Sequence, residues 1–153
     1  MSAEFEVIRT TSIAADPARV HALVDDFHQW TAWSPWEDVD PGLRRTYSGP
    51  GSGVGAHYAW AGNRKAGQGS MEITASTAER IDIELSFLKP FKATNHVDLT
   101  FTPSAGGTEV VWRMTGSHQG LATLVFRFMS MDRMVGPDFE KGLARLKTVA
   151  EQG

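Results

Sequence analysis

The sequence predicts an α+β fold in which a curved antiparallel sheet of six or seven strands wraps one long C-terminal helix, with two short helices after the first strand. Three observations carry this. Between Leu43 and Gly116, apolar residues alternate with polar ones in successive short runs separated by Gly- and Pro-rich turns, the signature of hairpin-linked strands with one buried face. From Leu124 to Ala150, apolar residues instead fall at steps of three or four, the stripe of an amphipathic helix. The order of these segments leaves one long helix to cover one apolar sheet face, and such a face must be covered.

The elements justify themselves in order. Phe5, Val7, Arg9, Thr11 and Ile13 alternate with their neighbours and read as a strand. Asp16-Pro17 then offers a capping side chain and a residue suited to the first helical position. Val20, Leu23, Val24 and Phe27 follow at helical spacing. A second short helix carries Trp30 and Trp33 and stops at Ser34-Pro35. Ala56, Tyr58 and Trp60 form one face of a strand, and Gly62 to Gly67 reads as its hairpin turn. Met71, Ile73 and Ala75 alternate with Glu72 and Thr74. Ile81, Ile83, Leu85 and Phe87 give the clearest strand signal, and Val97, Leu99 and Phe101, then Val110, Trp112 and Met114, complete the sheet. In the last helix, Leu124, Phe128, Met131, Val135, Phe139, Leu143, Leu146 and Ala150 face inward. Gly136-Pro137 predicts a kink there, or a break with Pro137 opening the second half.

Residues 1–153 suit a single domain, because two domains would each be too small to bury a good core. A net charge of −3 and the lack of any clustered cations argue against nucleic-acid binding. With no cysteine in the chain, disulfides, thiolate catalysis and cysteine metal sites are excluded. The charged N-terminus does not fit a signal peptide. Leu121 to Met131 is about half the length of a membrane span, and Arg127 interrupts it. The expectation is a soluble cytoplasmic protein without stable membrane insertion. The sequence leaves the oligomeric state open.

Several motifs resemble the polyketide cyclase/dehydrase branch of the START-like (SRPBCC) superfamily. They are Trp33-Ser34-Pro35-Trp36 with Asp40-Pro41, Gly55-Ala56 leading to Trp60-Ala61-Gly62-Asn63, Gly67-Gln68-Gly69-Ser70-Met71, and Gly136-Pro137-Asp138-Phe139-Glu140-Lys141-Gly142-Leu143. Together they resemble a subfamily of small bacterial proteins across nearly the whole chain. The resemblance implies the helix-grip fold, with an internal cavity between sheet and helix. It spans cyclases, lipid carriers, hormone receptors and co-chaperones, so fold alone does not select a chemistry.

Read on that fold, the cavity is walled by Trp33, Trp36, Tyr58, Trp60, Met71, Phe87, Trp112, Met114, Phe128, Met131 and Val135. The expected function is binding or carriage of an apolar or aromatic small molecule of lipid, polyketide or isoprenoid type. An empty apolar cavity of about 300 Å³ would cost about 7 kcal/mol, so it calls for side chains, water or a ligand to fill it. The first alternative is a cyclase or dehydratase in which a few polar groups assist, and alternation offers Tyr58, Asn95 and Arg45 on the inner face. The second alternative is a protein-interaction module resembling co-chaperones. His57, His96, Asp82, Glu84 and Arg113 should point outward, and His118 falls in the loop before the last helix. His21 and His28 stand seven apart with no third ligand nearby, so no metal is expected. The absence of a Gly-x-Ser-x-Gly elbow and of a phosphate loop leaves no nucleophile or nucleotide site, and no cofactor is expected.

Overall fold

In a computed structural model, residues 3–37, 40–64, 66–89, 92–118 and 131–152 are described. Their elements run β1 (Ala3–Ile13), α1 (Pro17–Val24), a 3-10 turn (Gln29–Ala32), β2 (Arg44–Ser48), β3 (His57–Ala61), β4 (Gln68–Thr77), β5 (Arg80–Lys89), β6 (Ala93–Ser104), β7 (Gly107–His118) and α2 (Met131–Gln152). The seven strands form one antiparallel sheet in the order β1-β7-β6-β5-β4-β3-β2. Every neighbour except the β1-β7 pair is consecutive in the chain, so short turns set almost all the pairing.

Alternation sets the two faces of this sheet. On β5, Ile81 and Ile83 are fully buried and Leu85 nearly so, while Glu84 is exposed. Val97, Leu99 and Phe101 on β6 and Val110, Trp112 and Met114 on β7 share the same inner face. Phe139, Leu143, Leu146 and Ala150 cover it from α2, at helical spacing, and belong to the same core.

Four expectations need correction. Asp16 stands at the N-cap of α1 with Pro17 behind it, but its side chain makes no capping bond. Pro137 lies inside an unbroken 22-residue helix, so no second helix starts there. The β4-β5 register shifts between Ile73 and Ala75. This bulge moves Ala75 opposite Asp82 and turns Ser76 inward instead, because one extra residue reverses the faces of a strand. Ser76 Oγ then donates to Asp25 Oδ1 (2.7 Å) and lies 3.3 Å from His21 Nε2, tying β4 to α1. His118 closes β7 rather than standing in a loop. Leu124 and Phe128 lie outside the described residues, as does the side chain of Met131.

Glycines let the helix and the sheet approach closely. A Cβ on Gly142 would lie 2.8 Å from Trp112 Cζ3 and 2.9 Å from Pro35 Cδ. One on Gly136 would lie 2.1 Å from the Arg9 guanidinium, which pairs with Glu140 at 2.9 Å. The Gly-Pro-Asp-Phe-Glu-Lys-Gly-Leu motif therefore reads as a docking surface for β1, Trp112 and the Ser34–Glu37 segment.

Candidate functional site

Sheet and helix part toward one end of the inner face and leave a hollow of about 200 Å³. Its floor is Tyr58 and Trp60 from β3, Met71 from β4, Leu85 and Phe87 from β5, Val97 from β6, and Trp112 and Met114 from β7. Val135 and Phe139 of α2 close it from above, Phe27 and Trp30 from behind, Ser34, Trp36 and Glu37 from one side, and Leu43 and Ala66 at the rim.

Local bonds hold each wall. Trp60 lies across Gly69, where a Cβ would come within 2.6 Å of the indole, and its Nε1 donates to Ala66 O at 2.9 Å. Phe87 meets the same indole edge-on at 5.8 Å. The rim is tied by Asp40, which accepts from the backbone amides of Gly42 and Asn63, both at 2.8 Å. Trp36 Nε1 donates to Asp138 Oδ2 at 3.4 Å and Arg145 Nη1 to Ser34 O at 3.0 Å, so α2 fixes the segment that carries Glu37. Trp112 stacks flat on Phe139 with centroids 4.0 Å apart and planes 4° from parallel.

Sequence reasoning placed Trp36, Tyr58, Trp60, Met71, Phe87, Trp112, Met114 and Val135 around a cavity, and the structure brings them to this one. Trp33 does not belong there. It is fully buried, its Nε1 donating to Leu23 O at 2.9 Å and its ring packing on Trp30 and Trp112, and it serves the core under α1. Phe128 and the Met131 side chain fall outside the described residues. Asn95 is on the inner face and buried, but off the hollow, with its Oδ1 over Gly116 and no hydrogen-bond partner.

The polar end of the hollow contains a residue that periodicity could not reveal. Glu37, in the segment after Trp36, forms a short ion pair with Arg45. Burial works against the Arg45 charge, but the hydrogen bond and negative charge of Glu37 outweigh it and raise its pKa. The Arg45 guanidinium also lies near enough to the Tyr58 phenol for each charge to act on the other. Burial first, then the Glu37 charge, pushes the Tyr58 phenol up to about 12, and the neighbouring Arg45 only partly offsets this. Tyr58 therefore keeps its proton at neutral pH. Two donors in this region, Arg45 Nε and Trp112 Nε1, are buried without partners.

On the convex face, Asp82, His96 and Asp98 place their ligand atoms within 4.8 Å of one another. Arg80 and Arg113 already bracket these carboxylates, at 2.8 Å from Asp82 and 3.1 Å from Asp98. Two guanidiniums supply the counter-charge that a cation would bring. The outward placement of His57, His96 and Arg113 matches alternation, whereas Asp98 is buried on the outer face beneath its cationic neighbours.

A family model described as "Polyketide cyclase / dehydrase and lipid transport" matches residues 4–151. The chain belongs to this family. Among functionally curated proteins, none matches the sequence. Solved structures of similar fold include an uncharacterised protein from Rhizobium leguminosarum, 14% identical over 100% of this chain and 98% of that one, with a TM-score of 0.71. A protein of unknown function from Staphylococcus aureus is 12% identical over 99% and 96% of the two chains, also at 0.71. DynU16, a protein of the dynemicin biosynthetic locus, is 16% identical over 95% of this chain and 47% of its own, at 0.64. At such identities the likeness is one of fold. Membership in the polyketide cyclase/dehydrase family supports a ligand-binding or polyketide-processing role, and among the described residues no helix is long and apolar enough to cross a membrane.

Proposed function

We propose that the chain binds or carries one apolar or aromatic small molecule, of lipid, polyketide or isoprenoid type, in the hollow between sheet and α2. The observation that carries this reading is the hollow itself, lined by aromatic rings and methionines beside a fully buried core. Left empty, an apolar space of about 200 Å³ would cost on the order of 5 kcal/mol, comparable with the whole stability of many domains. An engineered cavity of about 150 Å³ holds benzene, so this one suits a ligand of one or two rings. Trp36, Tyr58, Trp60, Met71, Phe87, Trp112, Met114 and Val135 are its proposed contacts.

The convergence of Glu37, Arg45 and Tyr58 favours one further reading, a cyclase- or dehydratase-type enzyme. A phenol that stays protonated can donate a hydrogen bond to a developing enolate oxygen. If such an activity exists, Tyr58→Phe should lower its rate by about 10²-fold or more. The protein-interaction alternative draws no support from Ile8, Val54 and Leu88, exposed apolar residues on three separate segments.

Native mass spectrometry of freshly purified protein, followed by titration with 2-acetylnaphthalene, tests binding. Tryptophan emission should change and saturate at one equivalent, and Trp60→Phe should remove part of that change while the fold persists. No spectral response to this probe or to a panel of flat aromatics would contradict the proposal.

A further inference from the structure

Most cations of this chain are engaged by its own acids and carbonyls. Arg9 pairs with Glu140, Arg45 with Glu37, Arg80 with Asp82, Arg113 with Asp98 and Lys147 with Glu151. Arg19 and Arg145 bond backbone carbonyls. Arg44, Arg64, Lys89 and Lys92 differ. All are exposed, and among the described residues none has an ion pair or a side-chain hydrogen bond.

These cations are scattered in sequence, and the hairpins collect them. Arg44 pairs with Ala61, Ala61 with Gln68 and Gln68 with Lys89. Arg44 and Lys89 therefore stand in one row across β2, β3, β4 and β5, roughly 14 Å apart at the usual strand spacing. Arg64 lies in the β3-β4 turn just beyond that row, and Lys92 in the β5-β6 turn. The rim of the hollow is at the same end, for its lining residues Leu43, Ala66 and Phe87 each lie within two positions of Arg44, Arg64 or Lys89. Leu88, 51% exposed, stands between Phe87 and Lys89. Of the acids beside this rim, Glu37 is matched by Arg45, and Asp40 by the amides of Gly42 and Asn63. The chain as a whole carries a charge of −3, so a cationic end is set against an acidic remainder.

A partner for this end must offer spread negative charge and accept an apolar side chain among the cations. An anionic bilayer does both: its headgroups favour each Lys or Arg at the surface by about fivefold, and its acyl boundary takes up Leu88. A nucleic-acid backbone would set Leu88 and the apolar rim against phosphates.

We propose that this end docks on anionic lipid bilayers, with Arg44, Arg64, Lys89 and Lys92 on the headgroups and Leu88 between them, so that the hollow faces the membrane. The contact is peripheral, needs no spanning helix, and weakens as salt screens it.

Flotation with two kinds of vesicle tests it: phosphatidylcholine alone, and phosphatidylcholine with about 30% phosphatidylserine. At about 0.05 M salt the wild type should bind the anionic vesicles about tenfold or more tighter than the neutral ones, and lose that advantage at about 0.5 M. The double variant Arg64→Glu/Lys89→Glu, checked for folding by a thermal melt, should lose it too. Lys141→Glu, which alters an exposed cation on α2, should retain most of it. The chain has no cysteine, so Leu88→Cys and Val54→Cys each create one site for an environment-sensitive dye. Val54 belongs to the loop at the opposite ends of β2 and β3. On anionic vesicles the dye at Leu88→Cys should brighten and shift to the blue, and the dye at Val54→Cys should not. Equal binding to both vesicles, full binding by the folded double variant, or an equal response of the two dyes would overturn the inference. So would tighter binding to duplex DNA than to the anionic vesicles. None of these results touches the reading of the hollow as a ligand site, because its probe is titrated in water without vesicles.

Discussion

The two ends of one sheet face differ in residue type and in packing. Toward α1, Ile13, Ile73, Ile81, Ile83, Leu99, Phe101 and Val110 share one core with Leu146, each at most 2% exposed. Toward the other end stand Met71, Leu85 and Phe87 of the same strands, with Tyr58 and Trp60 of β3, and these border a hollow of about 200 Å³. β-Branched and compact aliphatic side chains interdigitate on a pleated surface and leave little space. Large rings joined edge to face, and flexible thioethers, can instead frame a space without filling it. The closed end gives the fold its stability, and that lets the open end keep a defect.

The largest expected effect sets these ends against each other. Phe101→Ala, at the closed end, should cost about 3–5 kcal/mol in urea unfolding. Phe87→Ala borders space that already exists and should cost about half of that or less. Equal losses would show that the hollow is as tightly packed as the rest and would end the comparison.

A smaller effect concerns the convex face behind the closed end. Burial opposes ionisation of Asp82, but hydrogen bonds and charges from Arg80 and His96 outweigh it and lower its pKa. A carboxyl lowered in the folded state stabilises above its unfolded pKa of about 3.9, and the gain is lost as pH falls through the folded value. Arg80 is 43% exposed, so the pair is worth about 1 kcal/mol at most. Asp82→Asn should therefore be less stable than the wild type at pH 7, the difference fading below about pH 4. Probe binding at the open end should be unchanged. A deficit that does not vary with pH would mean that the Asp82 charge contributes nothing.

How legible this was depended on whether position followed from period. The alternation of Ile81, Ile83 and Leu85 predicts their burial because strand geometry allows no other arrangement once one face is covered. The same reasoning brought Tyr58 and Trp60 to the hollow. It failed at Ala75, where the sequence keeps its alternation through a bulge that the backbone inserts at Thr74. The sequence placed Trp33 beside Trp36 on the cavity wall, yet the chain after the 3-10 turn sends Trp33 under α1 and leaves Trp36 to α2. Glu37 was illegible for a deeper reason. It sits in no periodic element, and the bonds of Asp138 and Arg145 to its neighbours help hold it against Arg45.

The most direct test of the open end as a ligand site is methyl NMR on protein labelled at methionine Cε and isoleucine Cδ1, titrated with 2-acetylnaphthalene. Met71 and Met114 line the hollow, whereas Ile73, Ile81 and Ile83 lie in the closed end. The Met71 and Met114 resonances should move and saturate at one equivalent, leaving those of the three isoleucines nearly in place. Shifts centred on the isoleucines, or no movement at Met71 and Met114 at saturating probe, would contradict the account.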